Sequence, residues 1–261
     1  MHRRIALFLA LPILMTACGS SYNPSSSHTV SGNWQMNLLA SNNNVASASG
    51  FLVQIGNSVT GSVLVSDGPC SGVGTVDGTI TGTGISVTVA SVGLQIDLSG
   101  TLGSNLNSMS GNYTILSTGC PDSPRPVAEN GTWMANLVTP LSGSIHGTFT
   151  HSTKTHTNTY PVTGKINQAP NAGISNTSLS GALSATNYCF TTANIAGLVS
   201  GQSVVMNLVN PDGTQIGLVS GTSSVAGTSV TGVYQIFAQG AGALPPCNDG
   251  DSGTVMLTVA P

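Results

Sequence analysis

The second half of the chain repeats the first, and that duplication sets the folding unit before any strand is assigned. Gly93-Leu94-Gln95-Ile96-Asp97-Leu98-Ser99-Gly100-Thr101 matches Gly213-Thr214-Gln215-Ile216-Gly217-Leu218-Val219-Ser220-Gly221-Thr222, with one residue inserted in the second copy. Ser110-Gly111-Asn112-Tyr113-Thr114-Ile115 then matches Thr231-Gly232-Val233-Tyr234-Gln235-Ile236, and Gly131-Thr132-Trp133-Met134 matches Gly253-Thr254-Val255-Met256. Cys70 corresponds to Cys189, and Cys120 to Cys247. Two related domains in tandem follow, over residues 31–138 and 139–261.

Within each copy the apolar pattern has a period of two. Leu94, Ile96 and Leu98 point one way and Gln95, Asp97 and Ser99 the other; Val255, Leu257 and Val259 alternate with Thr254, Met256 and Thr258. That alternation marks half-buried antiparallel strands, and no stretch after residue 18 keeps a helical period through three turns. Asp67-Gly68, Asp77-Gly78, Asn130-Gly131 and Asp212-Gly213 read as turn pairs between the runs, where Gly or Asn supplies a positive φ. The first domain then has eight strands, near 32–39, 50–56, 59–65, 73–80, 84–90, 93–101, 109–116 and 131–138. The pattern predicts an all-β chain of two tandem antiparallel barrel-like domains, with paired immunoglobulin-like sandwiches or a Gly-Thr-rich solenoid as the alternatives.

The cysteines fit the same division. There are five, and removing Cys18, considered below, leaves an even set that an oxidising compartment would pair. One equivalent pair per copy predicts Cys70–Cys120 and Cys189–Cys247, out of three connectivities. Each would close a loop of about 50 to 60 residues, worth about 4 kcal/mol in the chain-entropy model. Zinc is the competing use, and no Cys-x-x-Cys pair or suitably spaced His accompanies them.

Residues 1–17 have the layout of an export signal, with His2, Arg3 and Arg4 ahead of an apolar run from Ile5 to Met15. A span needs about 20 apolar residues, so the run is too short to cross a bilayer. It ends in Met15-Thr16-Ala17-Cys18, which resembles the bacterial lipobox with Met15 in the usual Leu position. The resemblance implies lipid on Cys18, and Gly19 in place of a retaining Asp implies the outer membrane. Residues 18–30 hold the lipidated Cys18 and a Ser-rich stretch with too little apolar surface to fold, a flexible tether.

Only 5% of residues are charged. Once Arg3 and Arg4 leave with the signal, Arg125, Lys154 and Lys165 face eight acids, a formal charge of −5. No cluster of Lys and Arg exists to hold phosphates, which excludes nucleic acid as a partner.

Gly32-Asn33-Trp34 opens the first strand, and Gly131-Thr132-Trp133 repeats the pattern late in the first copy. A Gly-x-Trp on the first strand of an eight-stranded up-and-down barrel resembles the calycin group, the lipocalins and avidin-like proteins, where the Trp plugs one barrel end. The lipocalin Arg that lies across that Trp has no counterpart, because Arg125 falls in a Pro-rich loop. The resemblance implies a closed barrel and, in one reading, a carrier for a small apolar ligand.

Catalytic groups are sparse. Glu129 is the only glutamate and is placed in the Asn130-Gly131 turn, so a paired-carboxylate hydrolase would have to use Asp. His146, His151 and His156 recur every five residues, which puts successive members on opposite faces of a strand and prevents a shared metal site. They are expected to be solvated strand and turn residues. Asn248-Asp249-Gly250-Asp251-Ser252-Gly253 offers oxygens for calcium but lacks EF-hand spacing, and a hairpin turn beside the disulfide is favoured. Trp34, Trp133, Tyr113 and Tyr234 are expected to pack in cores. No catalytic residue, metal or cofactor is assigned. The sequence therefore predicts a non-enzymatic cell-envelope lipoprotein with a structural or recognition role, its partners being the membrane and an envelope protein or small ligand. The alternative is the apolar-ligand carrier.

Overall fold

The computed structural model describes residues 29–43, 45–66, 71–117, 127–152, 157–169, 177–239 and 247–261. The expectations attached to Cys18, Cys70, Cys120, Arg125 and His156 fall outside these residues.

The described chain is entirely strands and their connections. Barrel 1 consists of β1 (Gly32–Ala40), β2 (Val45–Ile55), β3 (Ser58–Ser66), β4 (Gly72–Thr81), β5 (Gly84–Ser91), β6 (Leu94–Leu102), β7 (Ser108–Ser117) and β8 (Val127–Leu137). Each pairs antiparallel with the next, and β8 closes on β1 with Trp34 opposite Leu137. Barrel 2 consists of β9 (Ser142–Ser152), β10 (Thr157–Ala169), β11 (Thr177–Ala185), β12 (Thr192–Ser200), β13 (Ser203–Val209), β14 (Gln215–Ser223), β15 (Ser229–Ile236) and β16 (Asp251–Ala260). It closes in the same way through β16 and β9. Two closed up-and-down barrels thus stand in tandem, and closure leaves neither sheet an unpaired edge.

The period-two pattern works as the sequence implies. In β6 Leu94, Ile96 and Leu98 are buried, and in β16 Val255, Leu257 and Val259. Each barrel gathers its inward residues into one cluster, whose buried members expose no more than 8% of their surface. Among the described residues these inward side chains pack against one another. Barrel closure therefore yields a packed core in each copy.

Trp34 is fully buried where β1 begins, and its indole N–H donates to the Val30 carbonyl (2.8 Å). Cys189 and Cys247 form a disulfide across 58 residues, joining the β11–β12 connection to the segment before β16.

Two predicted turns are strand interiors instead. Asp77-Gly78 lies within β4 and Asn130-Gly131 within β8. Both glycines serve close approach: a Cβ on Gly78 would stand 2.5 Å from the Val87 Cα, and one on Gly131 2.8 Å from Tyr113 Cε1. Asp212-Gly213 is a turn, with Gly213 at φ +91°.

Candidate functional site

A groove of about 720 Å3 lies on the outside of barrel 1, crossing β5, β6, β7, β8 and β1. Strand register builds it. Ser86 pairs with Ser99, Ser99 with Asn112, Asn112 with Thr132, and Thr132 with Leu39, giving one outward row across five strands. The next outward row runs Asp97, Thr114, Asn130. Asp97 Oδ1 accepts hydrogen bonds from the Thr88 hydroxyl (2.8 Å) and the Gln95 amide (3.0 Å), which fix the carboxylate on the wall.

Behind the groove the wall is built from glycine. Gly100 pairs with Gly111, and Gly111 with Trp133. Trp133 lies inward across this pair and donates its N–H to the Ser99 and Asn112 carbonyls, 3.1 Å each. Ser99 and Asn112 thereby turn their backbone toward the core and their side chains toward the groove.

Barrel 2 has the corresponding hollow, about 450 Å3. Leu98 faces Tyr113 in barrel 1 and Val219 faces Tyr234 in barrel 2, so Asp97 corresponds to Leu218, Asn112 to Val233 and Ser86 to Val205. The glycine pair persists as Gly221 and Gly232. Shape has been kept and part of the chemistry has changed: Leu218, Val233 and Val205 replace three polar residues, while Ser220, Gln235 and Ser252 keep polar side chains at the positions of Ser99, Thr114 and Asn130.

A second cluster caps barrel 2. Asp251 is buried at the start of β16, and its Oδ2 accepts the hydroxyls of Tyr188 (2.6 Å) and Tyr234 (2.7 Å). His151 Nδ1 lies 2.6 Å from Asp251 Oδ1 and 3.0 Å from the Ser252 carbonyl. Both neighbours only accept, so Nδ1 carries the proton. Phe149 stacks on Tyr234 at 4.6 Å, and Tyr160 packs on Tyr188 at 4.3 Å. Burial, reinforced by the Asp251 carboxylate, pushes both the Tyr188 and Tyr234 hydroxyls well above the ordinary phenol value. The adjacent Cys189–Cys247 bond holds Tyr188 down, which makes this cluster a fastening for the barrel end.

These positions correct several sequence expectations. The turn expected beside the disulfide covers residues 247–249, but Asp251 already opens β16 and is a buried acceptor. His151 faces inward toward it, while His146 is exposed on the other face, as a spacing of five requires. Glu129 lies in β8, not a turn, and accepts the Tyr113 hydroxyl at 2.8 Å. Tyr113, Tyr234, Trp34 and Trp133 are core residues. No group of three or more His, Cys, Asp and Glu side chains gathers in metal-binding geometry among the described residues. The repeated glycines were legible; the rows they support needed the register.

A third hollow, of about 310 Å3 and lined by Phe51, Leu137 and Pro140, lies where the barrels meet.

No protein-family model matches the chain. No curated protein matches it either. Among solved structures it is similar to kievitone hydratase from Nectria haematococca, at 8% identity over 89% of this chain and 90% of that one, with a TM-score of 0.23. A likeness that shallow assigns no role to any residue here.

Proposed function

We propose that this protein is a cell-envelope lipoprotein, held at the outer membrane by lipid on Cys18, which works by recognition on the outer groove of barrel 1. One observation carries the reading: the barrel interiors are packed, while a polar groove spans five strands outside. An apolar-ligand carrier would need room inside a barrel, and the close packing of the described inward side chains favours the outer wall instead. Binding therefore moves to the wall, where rigid strands hold the polar groups in place without an ordering cost at each encounter. The lipobox resemblance supports the anchor, and the repeat supports a Cys70–Cys120 bond as the counterpart of Cys189–Cys247. Sparse catalytic groups support binding as the role.

A photo-crosslinking residue placed at Thr132, in the groove, and at Thr60, exposed on β3 away from it, tests this in intact cells. Adducts from position 132 and not from 60 are expected. Equal labelling, or none, would end the reading, and mass spectrometry of the same membrane fraction reports whether Cys18 carries lipid.

A further inference from the structure

We infer that the barrel 1 groove binds a neutral, hydroxyl-rich chain, a glycan segment lying across the strands. This rests on the recognition reading above and names its ligand class.

The argument begins with the groups presented. The row Ser86, Ser99, Asn112, Thr132 and the row Asp97, Thr114, Asn130 offer hydroxyls, amides and one carboxylate. Hydroxyls and amides both donate and accept, which suits a ligand whose own hydroxyls do both. The carboxylate only accepts, and two adjacent ligand hydroxyls can donate to it together. Among the described residues no Lys, Arg or His lines the groove. A phosphate, sulfate or uronate chain would meet Asp97 with no cation to offset it, on a mature chain of net negative charge. Neutral ligands are thereby favoured over anionic ones.

Spacing adds direction. Neighbouring strands lie about 4.8 Å apart, so a ligand crossing β5 to β8 meets a polar side chain at every strand before it reaches β1. At the β1 end Leu39, 48% exposed, gives its C–H faces an apolar floor. Each row member stands on a closed barrel wall, so the array is fixed before the ligand arrives.

Barrel 2 provides the internal comparison. It retains the glycine pair and the tyrosine but carries Leu218, Val233 and Val205 where barrel 1 carries Asp97, Asn112 and Ser86. Those three polar residues are therefore separable from the fold, since the same wall stands without them.

Affinity electrophoresis of the full mature protein in gels containing dextran, laminarin or yeast mannan, with alginate as the anionic control, tests the inference. At least one neutral polysaccharide is expected to retard the protein and alginate to leave it unmoved. Asp97→Leu combined with Asn112→Val, the residues barrel 2 tolerates, is expected to weaken retardation at least tenfold with the thermal midpoint retained. Val233→Asn in barrel 2 should leave it within twofold. No retardation by any neutral polysaccharide, or a double variant that binds like the parent, overturns the inference. Peptide-mass adducts at position 132 without retardation remove the glycan and leave recognition standing; absence of both removes the two together.

Discussion

Asp251 is the residue whose surroundings depart furthest from what its type and neighbours suggest. A carboxylate beside Asp249-Gly250 belongs by composition in a solvated turn, yet its side chain is fully buried and receives two phenols and an imidazole. A buried acceptor with several donors is expensive to remove, because the donors stay buried without partners. Asp251→Ala is expected to cost about 3 to 5 kcal/mol, the range for breaking a buried hydrogen-bonded charge pair. Glu129→Ala should cost less, about 1.5 kcal/mol or below, since Glu129 is only half-buried beside Tyr113. Urea unfolding with an unchanged slope checks both; equal losses would show that the barrel 2 cluster is not a special fastening. The sequence could place His151 on the face opposite His146, because that follows from a period of two. It could not supply the partner, which comes from β16, a hundred residues later.

At the scale of the element, strands with large inward residues were readable and strands with small ones were not. β6 shows Leu94, Ile96 and Leu98, and its limits were predicted to within a residue. β2 starts at Val45 instead of 50, because its inward Ala46 and Ala48 barely differ in polarity from Ser47 and Ser49. β8 starts at Val127 instead of 131, because Asn130-Gly131 imitates a turn. Glycine has two uses here, and sequence alone does not separate them. Gly82 has φ +60° and open space around its Cβ position, so it serves a turn. A Cβ on Gly111 would stand 2.5 Å from Gly100 Cα and would also collide with the Ser99 carbonyl. Gly111→Ala must push β6 from β7 and so shift the Ser99 and Asn112 carbonyls that hold the Trp133 N–H, at about 3 kcal/mol, the upper part of the overpacking range. Gly82→Ala should cost about 1 to 2 kcal/mol, from backbone strain alone. Near-ultraviolet circular dichroism separates them: the Trp133 signal should change for the Gly111 variant and not for the Gly82 variant. An unchanged signal in both would mean that the wall behind the groove is softer than its spacing indicates.

At the scale of the molecule, the junction between barrels rests on the unremarked middle residue of Gly32-Asn33-Trp34. By alternation Trp34 points inward and Asn33 outward, so a polar side chain at 33 carries no message in a single barrel. In the pair it is buried, because the β12–β13 turn of barrel 2 covers it. The Asn33 amide donates to the Gly201 carbonyl (2.8 Å) and accepts from the Gly201 N–H (2.7 Å), while Ser49 meets Ser200 at 3.1 Å. Thr139 N–H donates to the Val225 carbonyl (2.9 Å), tying the linker to barrel 2. Gly201 has φ +55°, and a side chain there would strike Gln35 and Ser49, so the turn fits only as glycine. Two buried backbone groups lose their partners when the amide is removed, at about 1 to 3 kcal/mol each. That loss falls on the coupling between barrels, since both cores lie elsewhere. The parent is expected to unfold in one calorimetric transition with matching calorimetric and van't Hoff enthalpies. Asn33→Ala should split it into two, each retaining the enthalpy of a single barrel. A single transition, unmoved in midpoint, would mean that the remaining contacts, such as Ser49 with Ser200, and the linker couple the barrels and that Asn33 is buried without consequence.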